Sequence, residues 1–165
     1  MELPLELSNQ GFALCDITPA DLPDYIGVKR ACYKKYVEEY YGGWVEEVQV
    51  GMNTDVFNRM LGKPFFKKLL LHGETVGFFS YEEQEDQIGG ITIQMLEAAW
   101  NKGVGSFYLR HITELSDRTG KPVCLKVFKS NPAQRLYRRF GFKIYGETRT
   151  HYLMRYEAEL SQPFQ

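Results

Sequence analysis

One stretch restricts this chain more than any other. "EDQIGGITIQML" alternates apolar and polar residues, "NKGVGS" interrupts it, and a helical period begins at once. Ile91, Ile93 and Met95 fall on one face of a strand, because side chains alternate along it. From Gly103 onward the apolar positions become Val104, Phe107, Tyr108, Ile112 and Leu115, the spacing of a helix face. Gly120 and Pro122 end that helix, and "PVCLKVF" reads as the next strand. A strand, a glycine turn, a helix and a strand in direct succession require a sheet with helices packed on it.

The rest of the chain fits that frame. "FALCDIT" reads as a first strand, and "TPADLPDYIGVKRACYKKYVEEYY" as a helix capped at Thr18 or Asp21 and broken by "YYGGW". "TDVFNRMLG" predicts a shorter helix with Thr54 at its cap and Gly62 at its stop. "FFKKLLLHGETVGFFSYEE" gives two strands about an "HGE" turn. "SNPAQRLYRRFGF" gives a short helix with Asn131 at the cap, Pro132 at the first helical position and Gly141 at the stop. "FKIYGET" and "HYLMRYEA" close as strands. The expected order is β-α-α-β-β-β-α-β-α-β-β, a mixed α/β (α+β) sheet in one domain over 1–165.

Composition narrows the function. A net charge of −1 argues against an obligate nucleic-acid binder. The charge is uneven: residues 1–100 carry 16 acidic and 8 basic side chains, residues 101–165 carry 5 and 12. That split suggests one half facing an anionic ligand and the other a cationic one, although solvated faces give the same pattern. Cys15, Cys32 and Cys124 are odd in number and lack metal-ligand spacing, so no metal is expected and a reducing compartment fits. The start "MELPLELSNQ" has no signal-peptide pattern, and no apolar run reaches the roughly 20 residues that span a bilayer. The expected location is cytoplasmic, with no membrane partner.

The "GVG" turn is the first candidate site. A helix N-terminus presents unpaired N–H groups and a partial positive charge. Glycine lets backbone approach a bulky anion. Lys102, Gly103, Val104, Gly105 and Ser106 therefore form a plausible diphosphate seat. By itself a glycine pair before a helix is more often only a turn, and it is neither a Rossmann nor a Walker signature.

Three motifs change the weighing. "NKGVGSFYL" resembles the pyrophosphate loop, Q/R-x-x-G-x-G/A, of the GNAT superfamily of acyl-CoA N-acyltransferases. "LKVFKSNPAQRLYRRFGFK" resembles that family's strand, Asn, Tyr-bearing helix and closing "GF". "GETRTHYLM" resembles the end of many bacterial members, and "YYGGWVEEVQ" a segment near the acceptor site of one bacterial, small-molecule branch. The resemblance implies about seven mostly antiparallel strands flanked by about four helices and splayed between strands four and five. It implies acetyl-CoA as cofactor, residues 91–154 as the acyl-CoA core and residues 1–90 as mainly the acceptor side.

Roles follow from the same resemblance. Backbone at Ile93, Gln94 and Met95 would pair with the cofactor arm, with an N–H near Met95 polarising the thioester carbonyl. Tyr137 would be the general acid for the leaving thiolate, and Asn131 would touch the arm. Without the motif Tyr137 reads as a packed core tyrosine. Two departures stand out. The Q/R position is Trp100, whose side chain offers only an indole donor. Ile91 and Thr92 stand where an acidic pair often supplies the base. Glu83 and His151 are the remaining base candidates, and solvent is a third route; His72 and His111 read as structural. Tyr36, Tyr41 and Trp44 could wall a pocket for a small cationic amine. The expected activity is N-acetylation of a primary amine by direct attack in a ternary complex. A non-catalytic acyl-CoA-binding module and a protein or peptide N-acetyltransferase are the alternatives, and a homodimer is one available assembly.

Overall fold

The structure, a computed structural model, describes residues 1–159. Its elements run α1 (Leu5–Asn9), β1 (Phe12–Asp16), α2 (Leu22–Tyr41), α3 (Glu46–Met60), β2 (Phe66–Leu71), β3 (Glu74–Glu83), β4 (Ile88–Met95), α4 (Val104–Thr119), β5 (Val123–Phe128), α5 (Gln134–Arg139), β6 (Lys143–Glu147) and β7 (His151–Tyr156). The seven strands and their order match the periodicity reading. There are five helices among the described residues rather than four, because Leu5–Asn9 forms a short turn of helix that buries Leu7.

Both expected caps of the α2 region are used, Thr18 before a 3-10 turn and Asp21 before α2, whereas the start of α3 differs from expectation. A single 3-10 turn, Pro19–Asp21, precedes α2, and Thr18 N–H donates to Asp21 Oδ2 at 2.8 Å to start it. The helix α3 begins eight residues before Thr54, which is therefore interior and caps nothing. Gly51, Asn53 and Thr54 weaken the local helical signal. Glu46 and Glu47 in the first turn and Arg59 in the last suit the helix dipole, and burial of Phe57 and Met60 holds the segment.

The sheet order is β1-β2-β3-β4-β5-β7-β6. Pairing is antiparallel for β1–β2, β2–β3, β5–β7 and β6–β7. The pair β4–β5 is parallel and, among the described residues, joins Ile88 to Val123 at the first residue of each strand. In β3 the run from Val76 to Ser80 is buried without alternation, as a strand covered on both faces must be.

The chain divides into two compact units, Met1–Ser80 with Thr92–Gly105, and Tyr81–Ile91 with Ser106 onward. The boundaries fall within β3, within β4 and in the first turn of α4. In the first unit, Tyr25 and Val28 of α2 and Phe57 and Met60 of α3 pack on Phe66 and Phe78. The Tyr25 ring lies 5.3 Å from Phe57 and 5.2 Å, edge-on, from Phe78. Burying each such side chain stabilises by about 1.5–3 kcal/mol. In the second unit, Ile88, Tyr108, Leu109, Ile112, Val123 and Met154 are fully buried. Phe107 and Leu115, expected on the inner face of α4, are only half-buried.

Candidate functional site

The first unit carries the end of β4 and the glycine turn. Leu96 N–H donates to the Val76 carbonyl at 2.7 Å, so residue 96 faces β3. In an antiparallel ladder the N–H and C=O of one residue point the same way, and successive residues alternate. Gln94 therefore also faces β3, whereas Met95 faces away. The close approach confirms it: a Cβ on Gly77 would lie 2.4 Å from the Gln94 carbonyl oxygen. Of the three residues expected to offer backbone to a cofactor arm, Ile93 and Met95 direct their backbone groups away from β3 and Gln94 directs its own toward it. The Gln94 side chain is buried, and its Oε1 has no hydrogen-bond partner among the described residues.

Beyond β4 the chain makes one 3-10 turn, Glu97–Ala99, and folds Trp100 back onto the strand. Trp100 Nε1–H donates to the Met95 carbonyl at 2.7 Å. The Cys32 thiol donates to the same oxygen from α2 at 3.5 Å. Asn101 (φ 57°) and Gly103 (φ 92°) then take left-handed conformations, and α4 begins at Val104. Residues 101–103 are exposed, Val104 and Gly105 are buried, and Ser106 is half-buried. The turn is shaped as an anion seat requires: a bend at glycine followed directly by a helix N-terminus.

The second unit carries Asn131, Tyr137, Glu83 and His151. Asn131 Oδ1 accepts the Ala133 N–H at 2.9 Å, and regular helix starts only at Gln134. Asn131 thus caps a turn leading into α5, and Pro132 lies in that turn rather than at the first helical position. Tyr137 is 9% exposed, with its ring 6.1 Å from that of Phe142. Glu83 is exposed and held by Lys121 Nζ at 3.3 Å. His151 opposes Phe128 across β7 and β5, its ring centroid 4.1 Å from the phenyl ring. Its Nδ1 lies 2.7 Å from Thr150 Oγ1. Burial, aided by the charge of Lys126, pushes the His151 pKa below its ordinary value and favours neutral imidazole.

The α2 residues differ more from expectation. Tyr36 is 5% exposed, and Lys35 Nζ lies 4.9 Å from its ring centroid, so it is packed rather than displayed. Tyr41 is exposed. Trp44 Nε1–H donates to Glu46 Oε2 at 2.6 Å, and Glu46 also pairs with Arg30. Glu38 lies 3.9 Å from Lys34. Glu38 and Glu46 thus meet cations of the same unit, which weakens the inference from charge that these two face a cationic ligand.

Sequence reasoning missed two pairings. Lys29 sits over the rings of Tyr25 and Tyr33, at 5.7 and 5.0 Å from their centroids, and burial pushes its pKa down to about 8. The spacing Tyr25, Lys29, Tyr33 on one helix stripe was the available signal. The second is the His111 ring, whose Nε2 lies 3.2 Å from Tyr81 Oη, with its pKa lowered by burial. Nothing in the sequence links those two positions.

The sequence matches the family model described as "Acetyltransferase (GNAT) family" over residues 30–142. No curated protein sequence matches it. Among solved structures it is similar to PH1933 from Pyrococcus horikoshii OT3, at 19% identity and TM-score 0.70, covering 90% of this chain and 99% of that one. It is similar to the PaiA N-acetyltransferase from Thermoplasma acidophilum in complex with coenzyme A, at 16% identity and TM-score 0.66, covering 88% and 98%. It is also similar to the ribosomal-protein-S18-alanine N-acetyltransferase from Escherichia coli, at 16% identity and TM-score 0.64, covering 92% and 97%. At these identities the likeness is one of fold.

Proposed function

Because the chain belongs to the acetyltransferase (GNAT) family, we propose that it moves an acetyl group from acetyl-CoA to a primary amine by direct attack. Acetyl-CoA is the cofactor of the family, and a neighbouring fold has been solved with coenzyme A bound. The observation that carries the reading is the turn at Asn101–Gly103, which bends at a left-handed glycine straight into the N-terminus of α4. Lys102 to Ser106 would hold the diphosphate, mainly through backbone N–H groups. Ile93 and Met95 would offer backbone to the arm, and the Met95 N–H would polarise the thioester carbonyl.

When bound, the cofactor supplies an activated acyl group. The neutral amine would attack the carbonyl carbon, forming a C–N bond and giving up one N–H proton to the base while the C–S bond breaks and the thiolate leaves. Tyr137 donates the proton that the thiolate takes up. A phenol of pKa about 10 donating to a thiolate whose conjugate acid is near 8.5 is slightly uphill in water, so other groups of the site must stabilise the phenolate. His151 is the better base of the two candidates, because its imidazole is held neutral and Glu83 is engaged by Lys121. Asn131 uses Oδ1 within its turn and retains amide N–H donors for the arm.

The acceptor is a primary amine, without a charge preference built from Glu38 and Glu46. The test is thiol release from acetyl-CoA over a panel of neutral amines, polyamines, amino sugars and peptides with free N-termini. Release with at least one amine class supports the reading. Tight coenzyme A binding with no release across the panel overturns it in favour of a binding module.

A further inference from the structure

Trp100 stands where the loop pattern has Gln or Arg, and its contact gives it a definite task. The last residue of β4 is anchored on one side by the Leu96 N–H bond to Val76 at 2.7 Å. On its other side the Met95 carbonyl receives the Trp100 indole N–H at 2.7 Å and the Cys32 thiol at 3.5 Å. A carbonyl has two lone pairs, and a thiol is a weak donor, so the indole makes the stronger of the two bonds. The segment between closes tightly, with Ala99 N–H on Leu96 O at 2.9 Å and Trp100 N–H on Glu97 O at 3.0 Å. Asn101 and Gly103, in the next three residues, are the left-handed bends that lead into α4. One side chain therefore fastens the strand end and the start of the turn to each other.

The ring is 47% exposed. Burial alone does not account for it, whereas a fixed donor does. An indole held at two torsions loses less rotamer entropy than a longer Gln or Arg in the same bond.

We propose that Trp100 is a positioning residue, which holds the Met95 peptide groups in register with the glycine turn so that the Met95 N–H is preorganised for acyl transfer. This rests on the acetyltransferase reading above. Oxyanion donors act only when held close to their working geometry, and a 1 Å displacement can cost about 10²-fold in rate. The role differs from a cofactor-affinity role: its loss should lower kcat more than it raises KM.

The test compares the wild-type chain with Trp100→Phe in three measurements: steady-state thiol release, hydrogen exchange of the segment 93–100, and thermal melting. The expected result is a kcat lowered about tenfold or more with KM for acetyl-CoA within about threefold, and faster exchange over 93–100, at a similar Tm. Unchanged kcat, or unchanged exchange, overturns the proposal. If Trp100→Phe fails to fold, 3-benzothienylalanine at position 100 keeps the ring and removes only the N–H, and the same two readouts decide. A wild-type chain that releases no thiol sinks the acetyltransferase reading, while the exchange comparison still decides whether Trp100 fastens the strand end.

Discussion

Lys121 Nζ lies 3.3 Å from Glu83 Oε1 and also donates to the Gln84 carbonyl at 2.8 Å. That lysine bridges the end of β3 to the chain entering β5, and it engages the one acidic side chain the sequence offered as a base. An exposed pair of this kind contributes little to stability. Glu83→Gln is therefore expected to leave kcat/KM within about twofold, since general base catalysis is worth far more, about 10²-fold. A loss of that larger size in steady-state assays would return Glu83 to the mechanism.

His151 gives a pH dependence with a definite sign. Burial, then the charge of Lys126, lowers its pKa from the ordinary 6.5. A base works unprotonated, so kcat/KM should fall as pH drops through a value below 6.5, on top of the separate dependence from the amine's own ionisation. His151→Asn should remove that acidic limb and lower the rate by about 10²-fold. An unchanged limb in the variant would exclude His151.

Tyr137→Phe keeps the ring against Phe142 and deletes only the hydroxyl. The expected outcome is a kcat reduced by about 10²-fold, with the Kd for coenzyme A, measured by calorimetry, changed less than about threefold. Equal turnover by the variant would leave Tyr137 as a packing residue only.

Lys29 is a burden on stability. Its pKa falls from 10.5 in the free side chain to about 8 in the fold, chiefly through burial, with Cys32 opposing the shift. Between those values the unfolded chain binds more protons than the folded one, so stability rises with pH from 8 to 10.5. Lys29→Met should flatten that rise and, after allowance for partial exposure, stabilise at pH 7 by about 1–2 kcal/mol. Urea titrations at pH 7 and pH 10 measure both effects. A variant less stable at pH 7 would show that the two ring contacts outweigh the cost of burying the charge.

At Gly77 the backbone of β4 comes close to β3. A Cβ there meets the Gln94 carbonyl oxygen at 2.4 Å, and backbone cannot swing aside as a side-chain tip can. Gly77→Ala should destabilise by about 1–3 kcal/mol and lower Tm by about 2–4 °C for each kcal/mol. Thermal melting checks this, and an unchanged Tm would mean that the strands separate without cost.

The alternation of "ITIQM", the helical spacing after Gly103 and the punctuation by Gly120, Pro122 and Gly141 carried the element order. These signals are local, and each reports a period or a forced backbone angle that no distant residue need supply. The family motifs were legible for the same reason, because the turn, Asn131 and Tyr137 each lie within a short window. The start of α3 was not legible. Gly51, Asn53 and Thr54 oppose a helix locally, and only the burial of Phe57 and Met60 against α2 and the sheet overrides them.

The task of each side chain was decided in three dimensions. Trp100 read as a gap in a motif until its N–H met the Met95 carbonyl, five residues back and on a different element. Tyr36, read as a pocket wall, is buried in the fold, and the Glu83 carboxylate meets Lys121, 38 residues away. The sequence by itself determined most of the order of strands, turns and helices, apart from α1 and the first half of α3, since those choices are made largely by neighbours along the chain. Which groups are paired, buried or shifted in pKa was decided by the tertiary structure, because a hydrogen bond or a desolvated charge depends on atoms that only folding brings within a few ångströms.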